Sequence, residues 1–418
     1  MRITLICISI YFLPIFSWAQ GGHSYPGNYI FKPFTDNHKA YNYSGFEFLL
    51  ARNISSTTDK NFVFLKNSIN NWGFAKLSKK TNLFTLIQRS DEVYFKDNGL
   101  TNALLNSVSD GFSWNPDTVF NLTGAQLGLI GYQDFGCWIE RTSESKSYLL
   151  GLRLRDYSNI YIAEVDTGYI SNRFTSPLNT GNEYLVHAQV DQFYLSGNSV
   201  NFNLLQNSVS SLLSEFFRPK NFLILFDYTE RYKLSPKHEI ETSLIGIPII
   251  NNISDILQRQ MGIDWRFSGI NLSQLDSVVP QPTLIRDTNI RRVSSTFNSS
   301  NNLFKPSQEI HIGWNYSPYR SMRYSAKFSY YSNHLFNNSN LALGMFQNHG
   351  NNLQIMIRTN VSSQFGIWNE LGVLYKPSPI ITIFGNVSGG DIIRFREETQ
   401  IKENFKVLNL TFGLFANL

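Results

Sequence analysis

Seven histidines are spread along the 418 residues, at His23, His38, His187, His238, His311, His334 and His349. None forms a ligand pair at metal-binding spacing, and no HExxH, GxSxG or GxxxxGK[S/T] run occurs. Gly124, Gly128 and Gly131 sit four and three apart, but in a strand-like run where small residues suit a crowded sheet. The residue types needed for hydrolysis come together only as His311 with Ser325 or Ser329, where an imidazole would take a hydroxyl proton. Those residues occupy the polar positions of alternating segments, so they turn inward together. A polar interior histidine is the expected outcome, with no catalytic, cofactor-binding or metal-ligating residue.

Charged side chains carry a clearer pattern. Arg153, Arg155, Asp264, Arg266, Arg323, Lys327 and Arg358 fall on the polar parity of their segments, as does His311. Ile310, Ile312, Trp314 and Tyr316 alternate with His311, Gly313, Asn315 and Ser317. After Ser317-Pro318-Tyr319-Arg320, Met322, Tyr324, Ala326, Phe328 and Tyr330 alternate with Arg323, Ser325, Lys327 and Ser329, which makes a hairpin. Leu353, Ile355, Ile357 and Val361 alternate with Gln354, Arg358 and Asn360, and Met261, Ile263, Trp265 and Phe267 with Gly262, Asp264, Arg266 and Ser268. The chain ends LNLTFGLFANL, with Leu408, Leu410, Phe412 and Leu414 on one parity. A period of two puts large apolar groups on one face of a strand and small or charged groups on the other. That is the pattern of a wall with lipid outside and a polar lumen inside, where a charge on the lipid face costs about 2–4 kcal/mol at the midplane. Mixed-sign inward charges either line an aqueous path or pair across a filled interior.

Composition and leader agree with this. Met1–Ala19 has a basic start at Arg2, an apolar run to Phe16 and small residues at Ser17 and Ala19, so it reads as a secretory signal peptide cleaved before Gln20. Beyond it no apolar run reaches helical membrane-spanning length. Charged residues are 16% and aromatics 15%, a low-charge, aromatic-rich balance suited to barrel strands and their interfacial belts. One cysteine, Cys137, would remain after cleavage, so no internal disulfide is expected. A net charge of +5, dispersed along the chain, does not imply nucleic acid.

Further candidate strands are Phe46–Ala51, Leu83–Arg89, Ala125–Gly131, Phe135–Arg141, Tyr148–Arg155, Ile160–Val165, Tyr184–Leu195, Phe222–Tyr228, Glu239–Ile247, Leu341–Gln347, Gly366–Tyr375 and Ile380–Val387. The expected architecture is all-β: a single-chain antiparallel transmembrane β-barrel over 20–418, with about 14 strands (roughly 12 to 16). One short amphipathic helix is expected at Asn203–Phe217, ended by Pro219, and a long loop excursion at 270–306 carrying Arg286, Arg291 and Arg292.

The run Met261-Gly262-Ile263-Asp264-Trp265-Arg266-Phe267-Ser268-Gly269-Ile270-Asn271-Leu272, with Glu309–Ser317 after it, resembles an element of one family. These are Bacteroidota outer-membrane barrels of unknown function, related to the PorV/FadL-like and PorP-like barrels. The resemblance covers 222–418, about half the chain. At the start, Gly27–Pro33 stands where the family carries an Asn-Pro-Ala segment. The resemblance implies a bacterial outer-membrane location and no catalytic residues.

Three functions remain open on the sequence: a conduit or a scaffold for cell-surface transport, secretion or gliding machinery; an outer-membrane lipid-modifying enzyme; and a structural or adhesive surface protein. The expected partners are outer-membrane lipid and the barrel-assembly machinery, with secretion or gliding components under the first reading.

Overall fold

The computed structural model describes residues 40–53, 61–97, 119–174, 182–195, 221–253, 256–267, 293–298, 304–319, 321–350, 352–363, 366–378, 381–389 and 407–417. The leader, the helix expected at Asn203–Phe217 and most of the 270–306 excursion lie outside these residues. The strands are β1 (Ala40–Asn53), β2 (Asn61–Lys76), β3 (Thr81–Asp97), β4 (Val119–Asn121), β5 (Gln126–Thr142), β6 (Lys146–Phe174), β7 (Asn182–Leu195), β8 (Phe222–Lys233), β9 (His238–Asn252), β10 (Ile256–Phe267), β11 (Val293–Asn298), β12 (Gln308–Tyr319), β13 (Met322–Ser332), β14 (Asn337–His349), β15 (Leu353–Ser362), β16 (Gly366–Tyr375), β17 (Ile381–Gly389) and β18 (Val407–Asn417).

Fourteen of them close into one antiparallel ring, in the order β1, β2, β3, β5, β6, β8, β9, β12 through β18 and back to β1. The closing seam runs from Tyr41 opposite Asn417 to Ala51 opposite Val407. Closure is the physical reason for the count: in hydrocarbon an open edge would leave a row of backbone donors and acceptors unpaired, at several kcal/mol each. The terminal strand thus seals the wall. At one end of the ring the connections are short, at 77–80, 143–145, 234–237, 320–321, 350–352 and 376–380. The strand ends that flank the longer stretches 98–118 and 390–406 lie at the opposite end.

The two faces of the wall separate as the alternation requires. On β12, Ile310, Ile312 and Trp314 are 41–56% exposed while His311 and Asn315 are 3–4% exposed. On this strand the buried side chains are those of the inner face. Phe328, Leu343, Ile357, Leu371, Ile383, Val387 and Phe412 continue the outward apolar band across β13–β18. Near the short-turn end, His238, Trp314, Tyr316 and Tyr324 stack in a row on the outer face, as an interfacial aromatic belt would. Outward polar groups satisfy one another: Thr359 donates to Asn369 at 2.8 Å, and Arg89 pairs with Asp91 at 3.6 Å.

Among the described residues, four strands stand outside the ring. β6 is 29 residues long, and its first part, from Lys146 to Asp156, pairs β8. From Tyr161 onward it pairs β7 instead, and β7 leads to β10 and β11 as a second tier at the long-loop end; β4 pairs β6 there too.

The expected elements need six corrections. The segments Met261–Phe267 and Tyr184–Leu195 are strands, but they lie in β10 and β7, outside the closed wall. Ala125–Gly131 and Phe135–Arg141 are one strand, β5, and Tyr148–Arg155 and Ile160–Val165 are one strand, β6. A bulge at Ser158, between the pairs Gly131–Asn159 and Tyr132–Tyr157, shifts the parity of β6 by one and hides its continuity from a period-two reading. β2 escapes such a reading because its outward positions include Asn67 and Asn71 while Phe64, Trp72 and Phe74 point in. The excursion at 270–306 contains a strand, β11.

Candidate functional site

The interior is layered along the barrel axis. Near the short turns lies an apolar floor of Tyr43, Trp72, Phe74, Phe84, Leu86, Trp138, Leu149, Leu374 and Phe384. Toward the long loops lies a larger apolar layer that includes Phe64, Tyr94, Tyr132, Tyr157, Leu223, Leu225, Phe304 and Leu335, with Phe336 and Trp368 packed against it. Charged and amide side chains form a girdle between the two. The floor is tight: Trp138 lies flat over Gly136 and Gly151, where an added Cβ would stand 2.0 and 1.8 Å from the indole. Glycine is required at 151 for that close approach.

On the β5–β12 side the girdle is ionic. Arg153 forks onto Asp227 through Nε at 2.6 Å and Nη2 at 2.8 Å, and reaches Asp134 through Nη1 at 3.1 Å. Arg155 forks onto Asp134 through Nε and Nη2, both at 2.7 Å, and donates to Ser307 Oγ at 2.5 Å. Its guanidinium also lies 3.9 Å above the Tyr132 ring. Asp227 takes two more donors, Trp138 Nε1 at 3.1 Å and the Gly246 amide at 2.7 Å. Gly246 has φ of +78°, and a Cβ there would meet the Ser307 carbonyl at 2.5 Å, so β9 can turn its amide inward only at a glycine. Both aspartates are 0% exposed. Burial of charge at this depth is tolerated only with such complete pairing.

A second ionic group follows on the same side. Arg231 donates to Glu241 at 2.6 Å and Glu140 at 3.1 Å, and His311 Nε2 lies 3.1 Å from Glu241. His311 Nδ1 faces Glu309 at 3.5 Å. His311 stands opposite Ser329 in register, but both of its ring nitrogens face carboxylates, Nε2 toward Glu241 and Nδ1 toward Glu309, rather than the serine. Lys66 pairs with Glu92 at 3.7 Å, and Tyr132 donates to Glu92 at 3.0 Å.

Across the barrel, on β14–β17, the girdle is built from amides around one carboxylate. Glu370 accepts from Asn386 Nδ2 at 2.6 Å, Arg358 Nη1 at 3.3 Å and Asn360 Nδ2 at 3.5 Å. Asn340 Nδ2 in turn donates to Asn360 Oδ1 at 3.4 Å. Ser388 faces Glu370 directly across the β16–β17 pair.

Of the residues singled out by sequence, Arg153, Arg155, His311 and Arg358 sit within these networks. Arg323 lies toward the short turns, over the Phe346 ring at 4.2 Å, and Lys327 is half-buried on the same parity. Asp264 is a correction: it stands on β10, more than half exposed, paired with His187 and away from the girdle. Arg266 is on the same strand, opposite Leu185, so the ring does not include it either. Sequence reading missed the acids. Asp134 fell in the supposed gap between two strands, and Asp227 sat in a short apolar run. Their inward parity opposite arginine-bearing strands was the available signal.

The fold defines a mid-sized outer-membrane-type barrel whose described inner face carries two apolar layers and a polar girdle. A TodX deltaS2S3 mutant, described as a monoaromatic hydrocarbon channel, is similar with a TM-score of 0.51 and 10% identity, over 96% of this chain and 98% of that one. The toluene transporter TbuX of Ralstonia pickettii aligns with a TM-score of 0.49 and 7% identity, over 91% and 90%. At 10% identity, the likeness to the TodX mutant speaks for the fold alone. No protein-family model matches the chain, and no curated protein matches it.

Proposed function

We propose that this chain is a bacterial outer-membrane conduit for small, largely apolar molecules. The observation that carries this reading is the aromatic-rich layer enclosed by the ring at its long-loop end, above a girdle whose charges are paired with one another. An aqueous porin lumen presents polar groups to water along its length; here the interior presents Phe64, Tyr94, Tyr157, Phe304 and Leu335. Similarity of fold to a hydrocarbon channel supports the same direction. In this reading Met1–Ala19 is the export leader, the short turns face the periplasm and the long loops face outward. Membrane lipid and the barrel-assembly machinery are then its obligatory partners. Descent from the Bacteroidota group related to PorV- and PorP-like barrels belongs to the same proposal, carried by the segment 261–272.

Two measurements on the purified full chain test it. In a planar bilayer the protein should pass no steady ohmic current, and in detergent it should bind para-xylene saturably, followed by tryptophan fluorescence. A large steady current would make it a water-filled pore. Absence of any para-xylene binding would remove the apolar conduit.

A further inference from the structure

Two of the short turns carry the same pattern, Lys-Leu-Ser-x-Lys, at 76–80 and at 233–237. They also fold alike. In each, the leucine and serine amides donate to one carbonyl, that of Thr81 for Leu77 and Ser78 and that of His238 for Leu234 and Ser235. In each, the serine hydroxyl accepts from the amide two residues on, Lys80 to Ser78 Oγ and Lys237 to Ser235 Oγ, both at 3.2 Å. The result is a leucine left exposed between lysines: Leu77 is 58% exposed and Leu234 65%. An apolar tip among cations suits the boundary between acyl chains and headgroups, where ammonium groups reach phosphate while the leucine stays with the chains. The aromatic belt at this end of the wall sets both turns at that level.

The β5–β6 turn lies between them and is bonded to both. Thr142 donates its amide to the Lys80 carbonyl at 2.8 Å, and Lys233 donates to the Ser145 carbonyl at 2.8 Å, so the three turns run side by side along one arc of the rim. Arg141 joins this arc on the outward parity of Ile139, directly across from Tyr148. Lys146 is held by Glu230 and by the Tyr232 hydroxyl, the latter at 2.9 Å. Lys76, Lys79, Lys80, Arg141, Lys233 and Lys237 are exposed and have no acid partner among the described residues, and Glu144 is the one acid on the three turns. On the far side of the rim, the turns at 350–352 and 376–380 carry Lys376 alone. We infer that the arc seats phosphates of anionic phospholipids in the leaflet next to the short turns, with one headgroup at each Lys-Leu-Ser-x-Lys turn. Cations gathered without counter-acids repel one another, and a phosphate set among them removes that cost. This depends on the wall lying in a membrane and not on what crosses it.

The test is lipid retention by the full-length protein in neutral detergent, read by native mass spectrometry with phosphatidylglycerol and phosphatidylcholine of identical acyl chains. The wild type should retain phosphatidylglycerol about fivefold over phosphatidylcholine, the factor that one cation near an anionic surface supplies. That ratio should shrink as salt rises, because the turns are exposed. Lys79→Gln, Lys80→Gln, Lys233→Gln and Lys237→Gln together should bring it to about one, while Lys376→Gln on the far side of the rim should leave it unchanged. Leu77→Ser with Leu234→Ser should weaken retention of both lipids. Equal retention by the wild type, or a preference that survives the fourfold variant, overturns the inference and leaves the conduit reading in place. A preference lost equally in Lys376→Gln points to overall charge instead of a seat and overturns it too. The salt series needs no variant, and a ratio indifferent to salt decides against the arc on its own. If soluble poly-glutamate binds the wild type while the two lipids are not distinguished, the arc is a contact for an acidic protein and the lipid assignment falls.

Discussion

The two halves of the girdle meet the same demand in different ways. On the β5–β12 side, Arg153 and Arg155 present forks of N–H groups, and Asp134 and Asp227 close on them from two neighbouring strands. On the β14–β17 side, Arg358 offers one long contact to Glu370 and the remaining donors are amides. An ion network of the first kind holds strands at a fixed separation and leaves little unsatisfied. An amide array around a single carboxylate leaves the Asn386 and Asn340 side-chain oxygens without a hydrogen-bond partner. Both halves read as inward polar parity, yet one is built as a closed ionic brace and the other as a looser amide array.

The largest effect should come from breaking the brace. Asp227→Ala strips Arg153 of its fork partner, Trp138 of an acceptor and Gly246 of its contact. It should cost about 3–5 kcal/mol, the range for orphaning a buried charge. The readout is the heat at which the protein loses its compact mobility in detergent gels, and an unchanged transition would show that the network contributes no net stability. Next is the wall itself: Ile312→Lys places a charge on the lipid face and should cost about 2–4 kcal/mol if it lies near the midplane, measured by urea unfolding in vesicles. Gly151→Ala pushes a methyl into the Trp138 indole and should destabilise by about 1–3 kcal/mol in the same assay. The smallest change is expected on the amide side, where Ser388→Ala removes an unpartnered hydroxyl and should alter stability by less than about 1 kcal/mol. A loss at Ser388 as large as that at Asp227 would erase the distinction between the ionic brace and the amide array.

How much of this was legible in the chain depends on the strand. β12, β13 and β15 announce both faces, because lipid demands large apolar groups at every second position and the inner residues there are small or polar. Counting such segments bounded the ring size only loosely, because β5 and β6 were each divided in two, β7 and β10 lie outside the ring and β2 went unread. β5 and β6 were read as broken because inner tyrosines and the extra residue at Ser158 interrupt the period exactly where the apolar layer begins. The role of Asp264 was misread for a related reason: parity gives a face of a strand, and nothing in parity tells whether that strand belongs to the ring or to the tier above it. The acids that neutralise Arg153, Arg155 and Arg231 come from strands far apart in sequence, so pairing was visible only once register was known.

The wall claim is tested most directly by a spin-label scan along β12 in a Cys137→Ser background, one cysteine at a time from 310 to 315, in lipid vesicles. Labels at 310, 312 and 314 should collide readily with oxygen dissolved in the bilayer and poorly with a water-soluble nickel chelate, whereas labels at 311, 313 and 315 should be shielded from oxygen. A scan with no alternation, or with its phase reversed, would contradict the account.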